Sequence, residues 1–283
     1  MTQEAAAAAG PARERYDVVV LGGAIAGAST ALLLRREAPA LSVLVIEKTR
    51  QFDAKVGEAT TEMSGMFLTR RLALWQHLES EHLPKEGLRY WFSNEHVTGH
   101  ANASEAGGFV RSTVPSFQLR RDALDQHVLD LARTEGAEVL RPAHVRDVTL
   151  ADYDSTVAID LPDGSRRTVR ARWVIDASGQ QALLGRRDHQ RRFDPFFKNL
   201  AVFSYFTGAE RLSGDNAGNI LSAAFADGWF WFIPLRDGTT SVGAVVWPYY
   251  MKTRKVDPST FLMQTIAMCP PLAERLAGAE LIA

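Results

Sequence analysis

A chain of 283 residues, 46% hydrophobic and 23% charged, has the composition of an ordinary globular protein and the length of one large or two ordinary domains. A net charge of -1 excludes nucleic acid as a bulk electrostatic partner, and a single cysteine, Cys269, excludes an internal disulfide framework or a cysteine metal cluster. That cysteine usage fits a reducing, cytoplasmic setting.

Residues 1–15, "MTQEAAAAAGPARER", carry an acid near the front and a charged segment after a short alanine run, which predicts a disordered tail and not a signal peptide. "YDVVVLGGAIAGASTALLLRRE" then reads as strand, glycine turn, helix. Tyr16 to Leu21 is β-branched and apolar, like a buried parallel strand. Its uncharged stretch, Val18 to Leu34, is broken by Gly22, Gly23, Gly27, Ser29 and Thr30 and does not read as a membrane span. The turn Gly22-Gly23-Ala24-Ile25-Ala26-Gly27 follows the dinucleotide fingerprint with alanine at the middle place. Small residues let backbone approach a pyrophosphate, and the helix start supplies free N–H groups and a positive dipole end. "LSVLVIEK" predicts a second strand, closed by Glu47 and Lys48. Glu47 stands twenty residues after Gly27, where an acid accepts ribose hydroxyls. Strand, glycine turn, helix, strand and acid together predict a cofactor containing ADP, with FAD and NAD both open at this point.

The next segment, "VGEATTEMSGMF" (56–67), favours FAD, because flavin enzymes of this layout place a loop there near the isoalloxazine. In "QHLESEHLPK", His77 and His82 are five apart on a predicted helix and so face differently, which argues against a metal pair. His96 and His100 are four apart, but Thr98-Gly99 predicts a turn between them. "QLRRDALDQHVLDLARTEGAEVL" predicts an amphipathic helix with Leu124, Val128, Leu131 and Ala132 on its apolar stripe, a turn at Gly136 and a strand. Three strand-like runs follow at 145–150, 156–161 and 166–170, with "LPDGS" as a hairpin turn. "ARWVIDASGQQ" predicts a buried strand running into Asp176-Ala177-Ser178-Gly179. "GRRDHQRRFDPFF" (185–197) reads as a solvated basic loop, with docking of a carrier protein or a phosphate-bearing substrate as the alternative. "NLAVFSYFTG", "ILSAAFADGWFWFIPL" and "TTSVGAVVWPYY" predict consecutive strands with turns at Asp227-Gly228 and Asp237-Gly238. In "GWFWFIP", alternation places Trp229 and Trp231 on one strand face and Phe230 and Phe232 on the other, and Pro234 stops the run. A strand buried on both faces and a wall between two reactive partners both satisfy this pattern.

The order of elements resembles FAD enzymes of the aromatic-hydroxylase fold, and "GWFWFIP" is similar to the W-x-W-x-I-P signature of flavin-dependent halogenases, matched in full by Trp229, Trp231, Ile233 and Pro234. "GEAT" (57–60) resembles the glycine-glutamate motif that those enzymes carry after their second strand. The resemblance implies an α/β fold: a GxGxxG-type FAD-binding domain with a parallel sheet (16–87 plus 119–190), interleaved with an antiparallel substrate-side sheet (88–118 plus 191–257). Residues 258–283 are expected to begin a helical C-terminal region. The family's further glycine-aspartate and halide-holding segments find no match, so the chain is expected to correspond to the N-terminal part of a longer enzyme.

The implied chemistry starts from reduced FAD, supplied by a separate flavin reductase, with O2 and chloride or bromide. Hypohalous acid forms and passes to a lysine beside an electron-rich aromatic substrate (phenol, pyrrole or indole type, free or carrier-protein-bound). The implied lysine is Lys85 in "HLPKEGLRYWF", which precedes a short segment leading into a strand; Lys55 and Lys198 lie outside this context. A lysine in a pocket can act as a nucleophile forming a haloamine, or as a cation hydrogen-bonding the hypohalous oxygen. Trp229 and Trp231 are implied as the wall that keeps substrate off the flavin. Cofactor contacts are implied at Gly57, Glu58, Ala59, Asp176, Gly179 and Arg121, whose neighbour Arg120 is not separated from it. A related FAD-dependent monooxygenase or reductase, and an inactive FAD-binding fragment, are the alternative readings.

Overall fold

The computed structural model describes residues 13–92, 98–107 and 113–282. The expected N-terminal tail up to residue 12, and His96, lie outside them. The chain divides into two compact units, one of 1–53 with 122–192 and one of 54–121 with 193–283.

In the first unit, described strands form a six-stranded sheet in the order Glu138–Leu140, Val43–Ile46, Arg15–Leu21, Arg166–Asp176, Ser155–Asp160, His144–Thr149. The first four run parallel, and the last two join as an antiparallel meander. Val18 to Leu21 and Val43 to Ile46 are buried at every position, as parallel strands covered on both faces must be. The 166–170 run and the "ARWVID" run are one strand of eleven residues. Its N-terminal half pairs with the hairpin and its C-terminal half with Arg15–Leu21, so no turn separates them. The hairpin turn has Gly164 at φ +83° and the Asp163 carboxylate accepting from Ser165 N at 2.9 Å. Helix Arg121–Thr134 buries Leu124, Asp125, Val128, Leu129 and Ala132. Its buried stripe therefore runs through Leu129, and Leu131 stands half-exposed beside it.

In the second unit, described strands form a seven-stranded sheet in the order Glu280–Leu281, Leu200–Thr207, Thr240–Val246, Gly228–Pro234, Ile220–Phe225, Leu88–Phe92, Ser104–Gly107. The predicted hairpins are present, and the sheet is antiparallel except where Ile220–Phe225 runs parallel to Leu88–Phe92. Phe230 and Phe232 point into a core with Phe206, Val242 and Ala244, closed by Tyr250, Phe261, Leu262 and Leu272 from the helices Pro248–Lys252, Pro258–Ile266 and Pro270–Arg275. Full burial of each such ring contributes about 1.5–3 kcal/mol. The last segment is helical as far as Arg275, but Glu280–Leu281 then adds a strand at the sheet edge against Phe206 and Thr207. Residues 54–87, which the sequence grouped with the cofactor-binding part, cluster with the second unit. The contacts responsible are a small sheet, Leu83–Pro84 against Phe117–Gln118, and a bridge from Ala59 to Gln118.

Candidate functional site

In the first unit the glycine turn is built by close approach. Gly22 has φ +103°, and a Cβ there would lie 2.6 Å from the Ala177 carbonyl oxygen. A Cβ on Gly27 would lie 1.8 Å from the Gly22 carbonyl oxygen, so the helix can pack onto its turn only if position 27 has no side chain. Ala24 has φ -71°, an ordinary conformation, which is why alanine serves at the middle place. Helix Ile25–Glu37 starts with no side-chain cap and no acid in its first turn. The backbone N–H groups of Ile25, Ala26 and Gly27 are therefore left to an acceptor outside the helix.

Glu47, 5% exposed, accepts from Gly23 N at 2.7 Å through one carboxylate oxygen and from Thr49 N and Oγ, both at 2.8 Å, through the other. Burial pushes its carboxyl up; the Thr49 and Gly23 backbone N–H groups, the Thr49 hydroxyl and Arg141 together outweigh it and hold the pKa below the usual range. Lys48 is exposed beside it. Arg141, which no motif marked, donates to the Thr49 carbonyl at 2.6 Å and to Gln126 Oε1 at 2.7 Å, with its guanidinium 4.1 Å from the Phe52 ring centre. Its Nη2 is buried with no acceptor. The clue lay in strand order: Glu138–Leu140 runs parallel beside Val43–Ile46 and delivers Arg141 next to Glu47. Asp176 turns inward, accepting from Ser178 N and Oγ and from Leu184 N. It therefore shapes the 177–184 loop, in which Gly179 has φ +61° and open space where a Cβ would stand.

An uncapped helix start, backbone bared at the turn and an ionised buried acid fit the diphosphate and ribose of FAD. Glu47→Gln places an amide where one oxygen now accepts from Gly23 N. It is expected to weaken flavin binding about tenfold or more, the scale of a charged hydrogen bond, as read by flavin fluorescence titration.

In the second unit the "GEAT" loop joins three candidates. Gly57 has φ +96°, and a Cβ there would sit 2.5 Å from Arg121 Nη1, which donates to the Val56 and Gly57 carbonyls at 3.1 and 3.3 Å. Arg120 diverges from its neighbour, forming an ion pair with Asp237 at 3.5 Å, so Arg121 is the arginine that meets this loop. Glu58 is 2% exposed and accepts from the Tyr205 hydroxyl at 2.8 Å. The Thr60 carbonyl accepts from Lys85 Nζ at 2.7 Å. Lys85 is half-buried and fixed by its backbone, donating N–H to the Ser116 carbonyl at 2.9 Å. Burial lowers its pKa against the opposing charge of Glu62. Tyr205 carried no sequence signal; its place on the strand Leu200–Thr207 brings it to the loop.

Trp229 and Trp231 share one sheet face, ring centres 6.4 Å apart, with Trp229 41% exposed and Trp231 9%. The strand is thus buried on its Phe face and partly open on its Trp face. Phe203 lies 6.0 Å from Trp231 on the same face. The expectation that His77 and His82 diverge is corrected: their Nε2 atoms are 3.3 Å apart, because the helix ends at Glu81 and His82 continues in extended backbone. Among the described residues, no group of three or more His, Cys, Asp or Glu side chains could hold a metal, and no helix is long and apolar enough to cross a membrane.

A family model described as "Tryptophan halogenase" matches residues 72–257. Flavin-dependent halogenase armH4 of Armillaria mellea is 28% identical over 240 residues, 81% of this chain and 45% of its own length. A 1H-pyrrole-2-carbonyl-[peptidyl-carrier protein] brominase of Pseudoalteromonas luteoviolacea is 28% identical over 274 residues, 94% of this chain and 64% of its own length. The solved structure of the myxobacterial chondrochloren halogenase CndH superposes with a TM-score of 0.82 at 28% identity, covering 95% of this chain and 61% of that one. The chain thus spans between about half and two thirds of the length of these relatives. With the family model matching well over half of the chain, and the signature tryptophans inside the match, the chain belongs to the tryptophan halogenase family of flavin-dependent proteins.

Proposed function

We propose that this protein halogenates an electron-rich aromatic, using Lys85 to deliver hypohalous acid. Bound reduced FAD, with O2 and chloride or bromide, would supply the hypohalous acid, and a separate flavin reductase would supply the reduced flavin. The observation that carries the reading is Lys85 Nζ held by the Thr60 carbonyl on the "GEAT" loop, in the same compact unit as the paired tryptophans.

With one N–H engaged, the ammonium of Lys85 has others to donate to the hypohalous oxygen. The aromatic carbon attacks the halogen, the halogen–oxygen bond breaks, and the leaving hydroxide takes a proton from Lys85 to become water. The amine then removes the ring proton, which restores the ammonium. Hypohalous acid plus arene gives haloarene plus water, with no net change in the lysine. Trp229 and Trp231 separate substrate from flavin, so oxygen transfer to the ring is suppressed. The substrate class includes pyrroles, phenols and indoles. A carrier-bound pyrrole is supported by the carrier-protein halogenases among the relatives.

The test is a mass-spectrometric product assay with FAD, a flavin reductase, NADH, O2 and bromide against phenols, indoles and free or carrier-bound pyrroles. A bromine isotope doublet is expected; oxygenated product without bromine would overturn the proposal. Trp229→Ala opens only the exposed half of the wall. Its halogenation is expected to fall less than about tenfold, a loss below about 1.4 kcal/mol, with a rise in oxygenated product in the same assay.

A further inference from the structure

The strand Thr240–Val246 is buried along nearly its whole length, and its middle residue is a glycine. Gly243 does not have a positive φ, so backbone conformation does not call for glycine there. Glycine within a strand is normally a cost, since it packs nothing and loses the most chain entropy. What requires it is an aromatic ring. Gly243 pairs with Trp231 on one side and Phe203 on the other. A Cβ on Gly243 would lie 2.2, 2.5 and 2.6 Å from the Cζ2, Cη2 and Cε2 atoms of the Trp231 indole. The indole thus lies across the strand in the space that a side chain would fill. Two residues away on the same face, Ser241 is fully buried, and Trp231 Nε1 donates to its Oγ at 3.1 Å. Laid down this way, the ring reaches Phe203, tilted 38° to it at 6.0 Å, while Trp229 stands 6.4 Å away at 59°.

We infer that Gly243 and Ser241 are positioning residues for Trp231: the glycine clears the strand so that the indole can lie flat, and the serine hydroxyl fixes the orientation of the ring. Trp229, Trp231 and Phe203 then form one aromatic floor that extends two strands beyond the W-x-W motif. The inference rests on the proposed role of the tryptophan wall for its functional meaning, but its geometry is tested independently.

The experiment is a double-mutant cycle on this chain, with Gly243→Ala and Trp231→Leu singly and together, read by thermal midpoint. Overpacking by Gly243→Ala is expected to lower the midpoint by several degrees in the parent background. In the Trp231→Leu background, which has no ring over the strand, it is expected to cost less than half as much. An equal cost in both backgrounds overturns the inference, because the glycine would then serve something other than the ring. If Gly243→Ala fails to fold, recovery of folding by Trp231→Leu is the expected result, and failure in both backgrounds overturns it. For the latch, Ser241→Ala is expected to diminish the circular-dichroism couplet of the Trp229–Trp231 pair, and Ser241→Thr, which keeps a hydroxyl, to retain it. An unchanged couplet in Ser241→Ala removes Ser241 from the inference. If the cycle is non-additive but Trp231→Leu leaves the ratio of brominated to oxygenated product unchanged, the wall reading fails while the positioning stands.

Discussion

Gly27→Ala is expected to cost at least about 3 kcal/mol of stability, the upper range for overpacking, and to abolish measurable FAD binding. The added methyl would sit 1.8 Å from the Gly22 carbonyl oxygen, 2.9 Å from its carbon and 3.1 Å from Val20 Cγ1. Two of those atoms are backbone, in a turn held by Gly22 N donating to the Ile46 carbonyl at 2.8 Å, so no flexible side-chain end can yield. The helix must move away by more than an atomic radius, and its first N–H groups move with it. Thermal unfolding should show a midpoint lowered by about 6–12 °C, at roughly 2–4 °C per kcal/mol for a chain of this size. A variant that melts with the parent and binds flavin as tightly would show that the turn is not the cofactor cradle.

Lys85→Met is expected to reduce halogenation by about 10²- to 10⁴-fold, the range for a positioned proton donor, while flavin affinity stays unchanged. Methionine keeps the unbranched stem and removes the charge, so packing changes little, and the Thr60 carbonyl loses one donor. The same residue is expected to set the pH profile. Burial lowers the Lys85 pKa, with Glu62 opposing, so the ammonium is fully present below that pKa and is lost as pH rises through it. The rate should therefore fall on the alkaline side at a pH below about 10.4, the ordinary lysine value. Bromination by Lys85→Met at the parent rate, or a flat alkaline limb in the parent, would remove Lys85 from the chemistry.

The parts legible in the sequence are those whose signal is local. The Gly22–Gly27 turn, Glu47 at a strand end, the 160–166 hairpin and the alternation of Trp229 to Phe232 each depend on neighbours within one element. The parts that were not legible depend on which strands pair. Gly243 reads as a mild strand fault until Trp231 is placed across it. Arg141 gains meaning only when its strand lies beside the one ending at Glu47. Glu58 was implied only as a cofactor contact, and the Tyr205 hydroxyl that donates to its carboxylate lies 147 residues further on. His77 and His82 were judged on helical geometry, which ends one residue too early to apply to His82. Lys85 was singled out only by the family resemblance of its context, since nothing in composition or spacing marks it apart from other lysines.

Both compact units are assembled from two separated stretches, and this shapes how the chain can acquire its structure. The strand Arg15–Leu21 lies between Val43–Ile46 and Arg166–Asp176, with Arg15 opposite Arg170. On a ribosome the N-terminal strand must therefore wait, with one edge open, until residues near 176 have emerged. Such high contact order predicts slow folding and a prolonged interval in which an apolar edge is exposed to other chains. Expression of residues 1–120 alone would lack the partner strand and should yield aggregate, whereas an insertion within the 160–166 hairpin leaves every strand intact and should be tolerated.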